Sequence, residues 1–149
     1  QMFNGVEWGE LDYLIIDLPP GTGDAHLTLA QSSKLSGSII ISTPQDVALI
    51  DARKGINMFK KVNVPVLGIV ENMSYFICTK CNERHEIFSS GGAKKEAEKF
   101  KIPFLGELPL DKNLRIYSDE GRPICVSDPE SPIAATYLAI AKKVHSNLH

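Results

Sequence analysis

No stretch of this 149-residue chain carries the roughly 18 to 20 uninterrupted apolar residues of a membrane span. Its opening, Gln1-Met2-Phe3-Asn4-Gly5, lacks the basic region and apolar run of a secretory signal. An excess of charge of one sign is also missing. With 16 Lys and Arg against 18 Asp and Glu, the formal charge of -2 exerts no general pull on nucleic acid or anionic lipid, so neither is expected as a partner. Cysteine is scarce: three residues cannot make a secreted disulfide framework, and a reducing cytoplasm or matrix is the expected compartment. There is no internal repeat, low-complexity tract or linker to divide residues 1–149. What remains is an ordinary globular composition, 43% hydrophobic and 23% charged, in a chain of single-domain size. A chain of this size can bury about two thirds of its unfolded surface without disulfide staples.

Three apolar runs read as buried parallel strands: Tyr13-Leu14-Ile15-Ile16-Asp17, Ser38-Ile39-Ile40-Ile41-Ser42 and Val64-Pro65-Val66-Leu67-Gly68-Ile69-Val70. Their hydrophobicity is continuous rather than alternating, which predicts that both faces are covered. Between the second and third, Val47, Leu49, Ile50, Ile56, Phe59 and Val62 recur near helical spacing, with Asp51, Arg53, Lys54, Lys60 and Lys61 on the other side. That pattern predicts a crossover helix over 46–62. Further helices are expected over 92–100 and 132–148, the latter capped by Ser131 with Pro132 in its first turn. A short strand is expected at Phe104-Leu105-Gly106-Glu107-Leu108 between them. Alternating strands and helices give an α/β, doubly wound, mostly parallel sheet.

The loop Asp17-Leu18-Pro19-Pro20-Gly21-Thr22-Gly23-Asp24 follows the first strand at its carboxyl end, where open α/β sheets place ligands. An aspartate ending an apolar strand suits Mg2+ held through water beside nucleotide phosphates, and a Pro-Pro-Gly-Thr-Gly loop combines stiffness with glycine freedom. The plainer alternative is a turn followed by a helix that Asp24 caps. Asn72, at the end of the third strand, offers a donor and an acceptor to a purine edge, with Leu108-Pro109-Leu110-Asp111 expected beside it. Alternatively Asn72 only forms a turn.

Cys78 and Cys81 form a Cys-x-x-Cys hairpin within an expected segment of about residues 74–90, and three readings stay open. A thioredoxin-type dithiol should cap a helix, but Asn82-Glu83-Arg84-His85-Glu86 has no core-facing stripe. Half of a zinc ribbon, with His85 as a third ligand, lacks a second cysteine pair. Half of an intersubunit [4Fe-4S] site needs a second copy of the chain, which brings the thiolates to about four. Elsewhere the bland reading is preferred. Cys125 is expected to be a small buried hydrophobe, His26, His145 and His149 to lie on solvated surfaces, Trp8 to anchor its segment on the core, and Lys94-Lys95-Glu96-Ala97-Glu98-Lys99 to face solvent.

These residues resemble the Mrp/ApbC iron-sulfur cluster carriers, P-loop ATPases related to the MinD and ParA group. The likeness runs through 13–24, Thr43-Pro44-Gln45-Asp46-Val47-Ala48-Leu49-Ile50-Asp51-Ala52-Arg53-Lys54-Gly55 and Gly68-Ile69-Val70-Glu71-Asn72-Met73-Ser74 with its cysteine pair. It continues through Phe88, Gly91-Gly92, Gly106-Glu107-Leu108-Pro109-Leu110 and Gly121-Arg122-Pro123, and so covers nearly the whole chain. The resemblance implies that Asp17 is the Walker B aspartate and that 19–24 form a loop sensing the γ-phosphate, with Asp17 and Asp24 catalytic. It implies that Pro20, Gly21, Thr22, Gly23, Asn72, Pro109 and Leu110 contact ATP, and that Cys78 and Cys81 bridge a [4Fe-4S] cluster in a homodimer. The implied activity is transfer of that cluster to apo iron-sulfur proteins alongside cluster assembly factors, coupled to ATP and Mg2+. The implied place is a bacterial cytoplasm or, alternatively, a mitochondrial matrix.

One departure is large. The family's glycine-rich Walker A loop is not found here, since Gly91-Gly92-Ala93-Lys94-Lys95 lacks the Gly-x-x-x-x-Gly-Lys-Ser/Thr spacing. The chain therefore resembles the C-terminal part of a P-loop ATPase domain. Its incomplete sheet should contain a gap or pair 13–17 directly with 38–42, with marginal stability and weak binding of ATP by this portion alone. Rival readings are a MinD/ParA-like regulatory ATPase with a zinc dimer clip and a degenerate, non-hydrolysing binding module.

Overall fold

A computed structural model describes residues 5–19 and 23–149, apart from the side chains of Asp24, Ala25 and Ser32. The apolar run of 64–70 becomes the central strand β2 (Val66–Ile77). On one side it pairs in parallel with β1 (Ser38–Ser42), Ile40 opposite Ile69, and on the other with β4 (Phe104–Pro109), Val70 opposite Gly106. Two helices follow these strands on one face, α2 (Asp46–Lys61) between β1 and β2 and α3 (Gly92–Phe100) ahead of β4. Leu49, Ala52, Ile56 and Phe59 of α2 and Ala93 and Ala97 of α3 close on Ile40 and Ile69. On the opposite face α6 (Pro132–Leu148) lays Tyr137, Ile140 and Val144 over Val70, Leu105 and Leu108. Helices on both faces of parallel strands are the expected doubly wound α/β arrangement.

Local chemistry explains the boundaries. Ser131 accepts from the Ala134 N–H at 3.2 Å and Pro132 occupies the first turn, so α6 begins where capping predicts. Lys101 closes α3 in the left-handed conformation, with its N–H on Ala97 and Glu98 carbonyls. Gly68 sits at φ 152°, and a Cβ there would lie 2.6 Å from both the Pro103 carbonyl and Leu105 Cγ. Glycine is what lets β2 and β4 approach. Two helices carried weak sequence signals: α4 (Lys112–Asp119), capped by Asp111 at 2.8 Å to the Leu114 N–H, and the short α5 (Ile124–Ser127).

Several expectations are corrected. Residues 13–17 form no strand, and Ile15 is 89% exposed. They pair neither with 38–42 nor with another strand among the described residues; β1 is bonded only to β2. A parallel strand needs a bonded ladder and two covered faces, and residues 13–17 have neither among the described residues. The segment is held instead by Leu18 against the core under α2 and by a hydrogen bond between the Tyr13 hydroxyl and His145 Nδ1 on α6. The same open side leaves β1 alternating, with Ile39 exposed and Ile41 at 57%, although its sequence is continuously apolar. Val47 and Ile50 of the expected buried stripe of α2 are exposed as well, and Met58 is buried in addition. Trp8 is 45% exposed rather than set in the core, and Cys125 is only half-buried. His145 and His149 are exposed, as expected, with Tyr13 and His149 beside His145. His26 is buried, at 6% exposure, where a solvated surface was expected. Within the expected solvent face of 94–99, Glu96 turns inward and binds Arg53 of α2 at 2.7 Å.

Candidate functional site

The site grows from the place where β2 outruns its parallel neighbours. Pairing with β1 ends at Glu71, the β2–β4 register breaks between Glu71 and Tyr75, and Met73 takes φ 53° in the break. Asn72 is thus not at the end of the strand, as its sequence context predicts, but at an irregularity within it. Its Oδ1 accepts from the Met73 N–H at 2.9 Å, and among the described residues its amide donors and second lone pair have no partner. Leu110 donates its N–H to the Tyr75 carbonyl at 2.7 Å, and Pro109 lies opposite Tyr75. The fold therefore brings Asn72, Pro109 and Leu110 to one sheet edge. Pro109 is buried and Leu110 half-buried, so Leu110 has the freer surface.

Glu71 anchors this edge and is wholly buried. Its carboxylate accepts from the Ser74 hydroxyl at 2.6 Å and from the Gly91 and Ala93 N–H groups at 2.9 and 2.7 Å. An anion site at the start of a helix is thereby filled by the protein's own side chain. The N–H groups of Gly91 and Ala93, within Gly91-Gly92-Ala93-Lys94-Lys95, are already committed.

Beyond Tyr75, its last residue paired with β4, β2 runs on and turns back as β3 (Arg84–His85), Phe76 opposite His85 and Ile77 opposite Arg84. The turn is closed by Cys78 N–H to the Glu83 carbonyl and Asn82 N–H to the Cys78 carbonyl, both 2.9 Å, with Asn82 left-handed at φ 59°. At its tip Cys78 is half-buried and Cys81 exposed. Hydrogen bonds from the Cys81 and Lys80 backbone N–H groups, then from the Cys81 thiol, hold the Cys78 thiol below its ordinary pKa. These favour the thiolate, the form that binds metal. Cys81, Glu83 and His85 place one ligand atom each within 4.8 Å of one another, with His85 Nε2 3.8 Å from Glu83.

The base of the hairpin is clamped to β4. Arg84 lies 3.9 Å above the Tyr75 ring and donates to Glu107 at 3.0 Å, while the Ser74 hydroxyl oxygen stands 3.2 Å from the same carboxylate. Burial and then the Glu107 charge push the Tyr75 phenol up, and the Glu107 bond raises Arg84.

Less of the aspartate loop lies within the described residues. Asp17 is exposed, and Pro20, Gly21, Thr22 and the Asp24 side chain lie outside the described residues. Gly23, not Asp24, is the N-cap of α1 (Asp24–Ser32), and its carbonyl accepts from the His26 and Leu27 N–H groups. His26 Nε2 donates to the Pro19 carbonyl at 2.9 Å, tying the helix back to the loop. Glu71, His26 and the Arg84–Glu107 pair were missed in the sequence. A visible signal existed for Glu71, the one charge closing a continuous apolar run ahead of a Gly-Gly helix start.

A model of the family described as NUBPL iron-transfer P-loop NTPase, within ParA, matches residues 1–145. The chain is 53% identical to an iron-sulfur cluster transfer protein of Dictyostelium discoideum over 99% of its own length and 46% of that protein. It is 52% identical to an iron-sulfur cluster carrier protein of Escherichia coli, over 100% of the chain and 40% of that protein. It is 51% identical to an Arabidopsis thaliana mitochondrial iron-sulfur protein required for NADH dehydrogenase, over 99% and 47%. The chain thus spans less than half the length of these curated relatives. Among solved structures it resembles an Archaeoglobus fulgidus nucleotide-binding protein in complex with ADP, in which cobalt was found. That match has 50% identity and TM-score 0.71, over 83% of this chain and 50% of that one. The Pyrococcus furiosus cell division ATPase MinD shares the fold at 22% identity and TM-score 0.59, over 74% and 43%.

Proposed function

The chain belongs to the NUBPL iron-transfer P-loop NTPase family, and from that premise we propose that residues 1–149 are the cargo-holding, C-terminal part of a P-loop ATPase domain that carries an iron-sulfur cluster. Cys78 and Cys81 supply two thiolates, and a [4Fe-4S] cluster needs about four. A second copy across a two-fold axis supplies the others, so the carrier is a homodimer. The cargo then passes to apo iron-sulfur proteins, with cluster assembly factors upstream. The observation that carries this reading is the hairpin tip: two unpaired thiols on one turn beyond the edge of the core, Cys81 exposed and Cys78 half-buried, closed by the Cys78 N–H on the Glu83 carbonyl. Such an exposed seat favours release over storage. A reducing compartment, bacterial cytoplasm or mitochondrial matrix, suits unpaired cysteines of this kind. Among the described residues no helix is long and apolar enough to cross a membrane.

The nucleotide edge has its own division of labour. The exposed Asp17 carboxylate fits Mg2+ bound through water, with Pro20, Gly21, Thr22 and Gly23 toward the terminal phosphate and Asp24 orienting that loop. The amide donors of Asn72 fit a purine edge, with Leu110 against its face and Pro109 fixing the strand. ATP hydrolysis belongs to the longer protein in this reading. No Gly-x-x-x-x-Gly-Lys-Ser/Thr cradle lies in these residues, so alone they bind ATP weakly. Reconstitution with iron and sulfide without oxygen tests the cargo assignment. Wild type should acquire cluster absorbance that Cys78→Ser and Cys81→Ser lose; a double variant retaining it removes the assignment.

A further inference from the structure

We propose that the hairpin of a single chain is also a site for one mononuclear divalent ion of borderline softness, of the Zn2+ or Co2+ type, held by Cys81, His85 and Glu83. This rests on the reading of the cysteines as metal ligands and adds what a lone chain does with them.

Three different donors, a thiolate sulfur, an imidazole nitrogen and a carboxylate oxygen, converge within 4.8 Å. Ligand atoms around a common tetrahedral ion stand roughly 3.3 to 3.8 Å apart, given metal-ligand bonds of about 2.0 to 2.3 Å. His85 Nε2 and Glu83 already have such a separation, at 3.8 Å. The remaining approach is of the order of an ångström, within reach of exposed side chains that can change rotamer.

The backbone supports the site on both sides. His85 is fixed by its pairing opposite Phe76, and Glu83 by its carbonyl bond to the Cys78 N–H. Residues 83 and 85 alternate in an extended segment and so share a face, and the turn brings Cys81 to the same side. A set of sulfur, nitrogen and one oxygen selects zinc or cobalt over magnesium or calcium, which prefer oxygen throughout. The alternative, a simple His85–Glu83 ion pair, leaves unexplained why Cys81 comes to the same point.

The consequence is exclusion. A mononuclear ion occupies the Cys81 sulfur, which a bridging cluster needs, so a chain loaded with zinc or cobalt cannot share a cluster with a second copy.

Cobalt(II) titration of the metal-free protein under argon tests this, read by thiolate-to-cobalt charge-transfer and ligand-field absorption together with molecular mass. One cobalt per chain is expected without change in mass. His85→Ala should weaken binding tenfold or more and alter the ligand-field bands while still accepting a cluster from iron and sulfide. A smaller loss, unchanged bands, or one cobalt per two chains with dimerisation overturns the proposal. Paramagnetic NMR of cobalt-loaded wild type gives a second readout independent of any variant's folding. A hyperfine-shifted imidazole N–H resonance is expected, and its absence also overturns the proposal. Failure of the cluster reading is separate, because it shows as cluster absorbance retained by Cys78→Ser and Cys81→Ser.

Discussion

Glu71 has no exposed surface, yet it accepts from Ser74 and from the N–H groups of Gly91 and Ala93. An amide in its place keeps the shape, loses the charge and turns an NH2 toward donors. Glu71→Gln should therefore lower stability by about 1.5 to 3 kcal/mol in urea unfolding, the range for a buried charge-assisted network. A change below about 0.5 kcal/mol would show that the network is not intact. At this scale the sequence was readable where chemistry is local. Cys78 and Cys81 declare themselves by spacing, and Ser131 and Pro132 by capping. His26 and Glu71 do not, because a polar side chain declares its burial only through partners distant in sequence or fixed by a loop, here Pro19 and Gly91.

Helices α2 and α3 are tied by Arg53 and Glu96 as well as by their apolar faces. The hydrogen bond from Arg53 holds the Glu96 carboxyl below its ordinary 4.5 against the opposing effect of burial. A depressed folded-state pKa stabilises the fold above the unfolded value and ceases to do so as pH falls through the folded value. Thermal unfolding of wild type and Glu96→Gln should then differ at pH 7, by about 1 kcal/mol for a partly exposed pair, and converge below pH 4.5. A difference that is the same at pH 7 and in acid contradicts the pairing. The elements α3 and α6 were legible because each carries its own start signal and amphipathic pattern. Residues 13–17 were not, since a continuous apolar run specifies a strand only when a neighbour supplies the ladder, and β1 bonds only to β2 among the described residues. The β3 turn was visible as a cysteine hairpin, but its clamp through Arg84 and Glu107 depends on β4 and could not be read locally.

As a whole the molecule is a doubly wound sheet with one strand open on one face and one edge. Ile40 lies in the core and Ile41, its neighbour in sequence and equally apolar, is 57% exposed. Ile40→Ala should cost about 2 to 5 kcal/mol, and Ile41→Ala less than about 0.5, in urea unfolding. Equal losses would mean that the open face is covered. The sequence showed the class of the fold because strands and helices alternate. The exposure of Ile39 and Ile41 is set by what packs around the strand, which composition does not record.

The central claim, that two copies of the hairpin clasp one cluster, is tested most directly by the mass and the iron and sulfide content of oxygen-protected protein after reconstitution. The account predicts a dimer carrying about four iron and four sulfide per two chains. A protein that remains monomeric with a full complement of cluster contradicts it.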